Sequence, residues 1–219
     1  MSNLEQQILI NTYKQLKSSG GIQDYRDYDI SQSSFDQRRF MQTLPNSSFL
    51  IPENAANVLI EIHNHTELHQ KEFPFFIFAH DGRNSGNQNQ IIVDEIVYDP
   101  SSLNTQKGAL AEYKGELLRI FNEKITKHKN DPSFIVIQGH SHPSFRGDVG
   151  NMYSVQDLSN LVYLNKLTGI QFGACVMTPD HKANICFYDT YYNNFYKVTN
   201  FQITPSKQTA VNKIKNSLR

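Results

Sequence analysis

Hydrophobic positions along this chain switch between a helical and a strand period, and the switches outline its elements. Over residues 3–18, Leu4, Ile8, Leu9, Ile10, Tyr13 and Leu16 recur at helical spacing, and Gly20-Gly21 ends the pattern. Residues 22–45 are polar, apart from a short helical piece predicted over 35–44 with Ser34 as its N-cap. Residues 48–51 read as a strand. Pro52 suits the first position of the next helix, where its missing N–H costs nothing. Ala55, Ala56, Val58, Leu59 and Ile62 give that helix an apolar face as far as about His65. Residues 72–79 read as a buried strand whose proline marks an edge or an irregular start. A loop by composition, DGRNSGNQNQ over 81–90, leads to a strand over 91–98 that Asp99-Pro100 closes. The longest helical pattern covers 108–128, with Ala109, Leu110, Tyr113, Leu117, Leu118, Ile120, Phe121 and Ile125, and Asn130-Asp131-Pro132 stops it. A strand follows over 134–138. The next helix opens at Ser154, carries Leu158, Leu161, Val162 and Leu164, and ends at Gly169. Strands are predicted over 170–177, 183–188 and 191–198, and a short helix in the basic tail over 206–218.

Strands alternating with helices predict an α/β domain with a mixed sheet flanked by helices. Within the 219 residues we read an N-terminal helical extension over 1–46, one domain over 47–200 and a C-terminal tail over 201–219. At 38% hydrophobic residues, with 14 Phe and 11 Tyr, the chain can bury a sizeable core. Lys plus Arg equals Asp plus Glu at 21 each, so no general electrostatic partner is expected, neither nucleic acid nor an anionic membrane surface. The N-terminus lacks the basic and apolar regions of a signal peptide, and no run approaches a membrane span. These features make a cytoplasmic protein the expectation. Cys175 and Cys186, both in strand-like segments, are too few for a disulfide framework and read as buried core thiols.

The candidate chemistry lies in residues 139–157, GHSHPSFRGDVGNMYSVQD. His140 and His142 sit one residue apart at a strand end, so their side chains project to the same side. A carboxylate in the first turn of the following helix can close on the same point. Asp157 is placed to do so, with Asp148 in the glycine-flanked loop as its rival. Two imidazoles, one carboxylate and an open position make a catalytic zinc site. A second histidine cluster, His63, His65 and His69, reads His-x-Glu-x-His over 65–69, not the His-Glu-x-x-His of zinc peptidases, and is expected to be a polar helix end. Arg146 and the 81–90 loop are candidate substrate contacts that solvated loops explain equally well.

His140-x-His142-Pro143 followed by Ser154-x-x-Asp157 resembles the JAMM motif of the MPN+ (JAB) metalloproteases, which include deubiquitinating isopeptidases and prokaryotic relatives. The resemblance covers about 47–200 and extends to the order of the elements. It implies an MPN (JAB, cytidine-deaminase-like) fold and one Zn2+ per chain, held by His140, His142 and Asp157. It implies that Glu72, near the start of a strand after the first helix, is the general acid/base, with Glu61 and Glu67 as rivals for that place. It implies that Ser154 donates a hydrogen bond to the oxyanion, although N-capping alone would also account for a serine there. The implied substrate class is ubiquitin or a ubiquitin-like protein. The alternatives are a prokaryotic-type peptidase acting on a sulfur-carrier protein or peptide, and a non-catalytic MPN scaffold. Two departures stand out. Eleven residues, Pro143 to Tyr153, separate the second histidine from the serine, where the family commonly has seven. Phe75 and Ala79 occupy positions that are commonly glycine in the family's Glu-x-x-Gly-x-Leu-x-Gly strand.

Overall fold

The computed structural model describes residues 41–43, 47–82, 90–100, 115–144, 153, 155–178, 182–189, 194–205 and 212–213. Its strands, in chain order, are β1 (Met41–Thr43), β2 (Ser48–Pro52), β3 (Pro74–Asp81), β4 (Gln90–Tyr98), β5 (Phe134–Ser141), β6 (Gln171–Met177), β7 (Ala183–Asp189), β8 (Asn194–Lys197), β9 (Phe201–Thr204) and β10 (Asn212–Lys213). Three helices interrupt them: α1 (Glu53–His69), α2 (Gly115–His128) and α3 (Val155–Thr168). The strands form one mixed sheet in the order β1-β8-β7-β6-β5-β3-β4-β2-β9, with β10 also pairing with β4. β3 lies antiparallel between β4 and β5, while β5 and β6 run parallel with α3 as the connection between them. Among the described residues, no helix is long and apolar enough to cross a membrane.

Both faces of the sheet are covered. Phe49, Ile51, Phe75, Ile77, Ile135, Ile137 and Met177 pack on one face with Ala55, Val58, Leu59 and Ile62 of α1. Phe76, Phe78, Val97, Val136, Phe172 and Val176 pack on the other with Leu117 of α2 and Leu158, Leu161 and Val162 of α3. Period-two alternation sorts the side chains of β3 and β5 cleanly between the two faces. On β4 it does not. There, Ile91 and Val93 face α1, and so do Ile96 and Tyr98. The register shifts where Phe78 pairs with Glu95 and Ala79 with Val93, which leaves Asp94 as the extra residue of a β-bulge. The bulge turns Glu95 onto the α2 face, where it is buried and Lys124 Nζ meets it at 2.5 Å. The same ammonium lies 5.3 Å from the centroid of the Phe78 ring.

Several expectations need correction. Pro52 is the N-cap of α1 with ψ 143°, so it closes β2 and does not open the helix. The helix runs on to His69, because its histidine-rich end is buried on one side. His63 and Thr66 are enclosed, and the His65 ring packs near those of Phe73 and Tyr98. It ends at Gln70, a non-glycine in the left-handed region with φ 51°, whose N–H bonds to Thr66 O. Met41–Thr43 belong to a strand parallel to β8, not to a helical piece. The helix expected over 206–218 is not formed at Asn212–Lys213, which pair parallel to β4. Phe201–Thr204, placed beyond the domain by the sequence, pair with β2 as part of the sheet. The helix expected over 3–18 lies outside the described residues, as does the stretch 101–114 before α2. The strand expected over 134–138 continues to Ser141 and so includes His140.

Candidate metal centre

Strand register explains why these side chains meet. On β5, Ile135 and Ile137 face α1 while Phe134 and Val136 face α2 and α3. Continuing that alternation turns Ser141 towards α1 and His140 towards α3. His142 follows at the strand's end with the same parity. In the antiparallel ladder between β3 and β5, Pro74 pairs with His140. Stepping the ladder on by two residues sets Glu72 opposite His142, and the Ser141 N–H bond to Phe73 O at 3.2 Å holds this continuation. Phe73 faces α1, so Glu72 faces the histidines.

The distances agree with this register. His140 Nε2 and His142 Nε2 lie 2.9 Å apart. Glu72 Oε1 lies 3.7 Å from His142 Nε2. Asp157, the third residue of α3, places Oδ2 at 3.9 Å from His140 Nε2. The buried apolar residues Leu158, Leu161 and Val162 dock α3 on the sheet and so aim its first turn at the strand end. The four side chains are largely buried: 11% exposure for His140, 10% for His142, 10% for Glu72 and 16% for Asp157. One ligand atom each from Glu72, His140 and His142 falls within a 4.8 Å cluster. Two ring nitrogens facing each other at 2.9 Å need a shared proton or a shared cation. With a carboxylate beside each ring, the donor set is nitrogen and oxygen only, as zinc accepts. The residues present therefore fit a divalent cation.

Of the residues singled out from the sequence, the fold clusters Glu72, His140 and His142, and it sets Asp157 beside His140 but outside that 4.8 Å group. Ser154, Asp148 and Arg146 lie outside the described residues. The rival acids are engaged elsewhere. Glu61 lies near the Tyr98 hydroxyl and helps to push its pKa up, behind the larger effect of burial. Glu67 Oε1 accepts the Ser144 N–H at 2.8 Å and Oε2 accepts its hydroxyl at 2.7 Å. Partial burial raises the Glu67 pKa, but these bonds and one from Gln70 outweigh it and hold the carboxyl below the usual range.

Supporting contacts went unread in the sequence. Ser141, fully buried between the histidines, turns to α1. Its hydroxyl pairs with that of Thr66, which in turn donates to Ile62 O at 2.9 Å. The Phe73 N–H donates to Ser141 Oγ at 3.0 Å, so this one oxygen ties α1, β5 and the residue that leads into β3 together. His142 N–H donates to Met177 O at 2.8 Å. Tyr153 is buried where the chain returns towards α3, and its hydroxyl reaches Asn184 O at 2.5 Å and Ala174 O at 3.3 Å. Burial pushes its pKa well up. The signals were present: a small polar residue inside His-x-His, and a serine directly after the proline.

The Phe75 departure has a structural partner. Phe75 pairs across the ladder with Gly139, and its ring covers the space that a side chain at 139 would take. The bulk missing from one strand is supplied by the other.

Comparison of the chain with family models and with curated proteins returns no match.

Proposed function

We propose that this chain is a zinc-dependent hydrolase of peptide or isopeptide bonds, of the JAMM type with an MPN fold. The observation that carries the reading is the largely buried cluster of Glu72, His140 and His142, with Asp157 Oδ2 at 3.9 Å from His140 Nε2. Three separate elements supply them, in the chain order that the sequence motif implies. The α/β sheet with α1 on one face and α2 and α3 on the other supports the same reading.

His140, His142 and Asp157 would hold the ion. When bound, it supplies Lewis acidity, acidifying water and polarising a carbonyl. Glu72 Oε1, on the His142 side, accepts the proton of the attacking water and passes it to the departing amine. Its near-complete burial keeps bulk water from competing for that proton. Ser154, one residue before α3, would donate to the developing oxyanion, a contact typically worth about 3–4 kcal/mol. The substrate class is ubiquitin or a ubiquitin-like protein, whose extended C-terminal tail would bring the scissile bond to the histidines.

Elemental analysis of the purified wild type and of His142→Ala, followed by turnover of Glu72→Gln on ubiquitin chains, tests this. About one zinc per chain that is lost in His142→Ala is the expected result. Glu72→Gln keeps zinc and loses at least about a hundredfold in rate. A wild type that takes up no zinc overturns the metal centre and favours a scaffold. Wild-type rates in Glu72→Gln overturn the proton-transfer role.

A further inference from the structure

We infer that Glu67 is a positioning residue for His142, acting through Ser144 from the last turn of α1; this rests on the metal-centre reading above. His140 lies within β5 and is held by ladders on both sides, opposite Pro74 of β3 and Val176 of β6. His142 lies one residue beyond the end of β5 at Ser141. Its own N–H is fixed on Met177 O at 2.8 Å. The next residue, Pro143, has no N–H to give. The first backbone donor after His142 is therefore Ser144 N–H, and Glu67 Oε1 accepts it at 2.8 Å.

The grip is two-pronged. The second carboxylate oxygen, Oε2, accepts the Ser144 hydroxyl at 2.7 Å and the Gln70 amide at 3.2 Å. Both carboxylate oxygens are thus used, and Gln70 fixes the carboxylate from its own helix. One residue earlier on that turn, Thr66 holds Ser141. The last turn of α1 thus grips the residue before His142 and the second residue after it. The His142 backbone is left with little freedom to swing its imidazole away from His140. Charge-assisted bonds of this kind are about twice as strong as neutral ones, which favours a carboxylate over an amide at this place.

The test is a zinc titration of the full chain against a chelating indicator, with Co2+ absorption as a second readout, for wild type, Glu67→Gln, Ser144→Ala and the double variant. Circular dichroism of the metal-free proteins checks that each is folded. Partners that orient metal ligands typically contribute about 10–100-fold in metal affinity. Acting through the backbone, Glu67 is expected at the low end, about tenfold, with a changed Co2+ spectrum. Ser144→Ala is expected to weaken binding in the same direction, and the double variant to lose little beyond Glu67→Gln alone. If Glu67→Gln fails to fold, Ser144→Ala decides. Wild-type zinc affinity and Co2+ spectrum in the folded variants overturn the positioning role and leave the metal centre standing. A wild type that binds neither ion overturns both.

Discussion

Gly139→Ala is the sharpest test of how the histidine strand is built. A Cβ at 139 would lie 2.1, 2.3 and 2.7 Å from Cε2, Cζ and Cδ2 of Phe75. Carbon atoms prefer about 3.5–4.0 Å, so the ring must retreat by more than about 1 Å. It has nowhere to go, because Phe75 is fully buried in the α1-side core. Overpacking of this kind costs about 1–3 kcal/mol and occasionally more. The depth of the overlap argues for about 3 kcal/mol here. A chain of this size loses about 2–4 °C of melting temperature per kcal/mol, so the melting point should fall by about 6–12 °C. Thermal unfolding measures that shift, and urea unfolding of wild type, Gly139→Ala, Phe75→Leu and the double variant measures the free-energy cost. Phe75→Leu alone costs less than the about 3–5 kcal/mol of a full Phe→Ala truncation. In the double variant the shorter side chain relieves the clash, and a favourable coupling of at least about 1 kcal/mol is expected. A Gly139→Ala protein within about 0.5 kcal/mol of wild type, or strictly additive singles, refutes the argument that Phe75 and Gly139 share one space.

Other expectations follow from the same structure. Cys175 and Cys186 are free and buried, and burial pushes both thiols up, Cys186 to about 12. A thiol reagent at pH 8 should modify neither in the native protein and both after unfolding; rapid labelling of the folded chain would contradict the buried placement. Tyr153→Phe should destabilise by about 1–3 kcal/mol in denaturant titration, since two strand carbonyls lose their hydroxyl donor; an unchanged midpoint would mean that the hydroxyl contributes nothing. The Ser133 hydroxyl and N–H donate to Asp131 and hold its carboxyl below the ordinary range. A depressed carboxylate stabilises above its unfolded pKa, near 3.9, and that contribution is lost as the pH falls through the folded value. The stability gap between wild type and Asp131→Asn should therefore be full above about pH 5 and close below about pH 4. A gap that does not change with pH would argue against this assignment.

The parts of the site that were legible are those with short-range periods. His140 and His142 share a side because of strand alternation, and Asp157 is reachable because a helix's first turn follows. Glu72 was identified through the family resemblance, and its partner could not be read, because pairing Pro74 with His140 is a long-range register that no local pattern encodes. The helix end at 63–69 misled for a related reason. His63 and Thr66 look polar in sequence, yet the sheet and Ser141 enclose them. β1, β9 and β10 were missed because each is two to four residues long and recruited by a distant parallel partner. The Asp94 bulge hid the true face of Glu95, since strict alternation past residue 93 assigns it to the wrong side.

The parallel pairing of β2 with β9 governs how the chain can be assembled in time. Phe49 lies opposite Phe201, so one flank of an early strand is finished only by a segment made about 150 residues later. Joining ends that far apart carries a loop-closure entropy that only a largely formed sheet can offset. During synthesis, β2 and β4 can associate while the outer side of β2 stays open until residue 204 has left the ribosome. In that interval the nascent protein exposes an unpaired strand bearing Phe49 and Ile51, both buried in the finished fold. Completion of β9 is thus the step that closes this flank of β2.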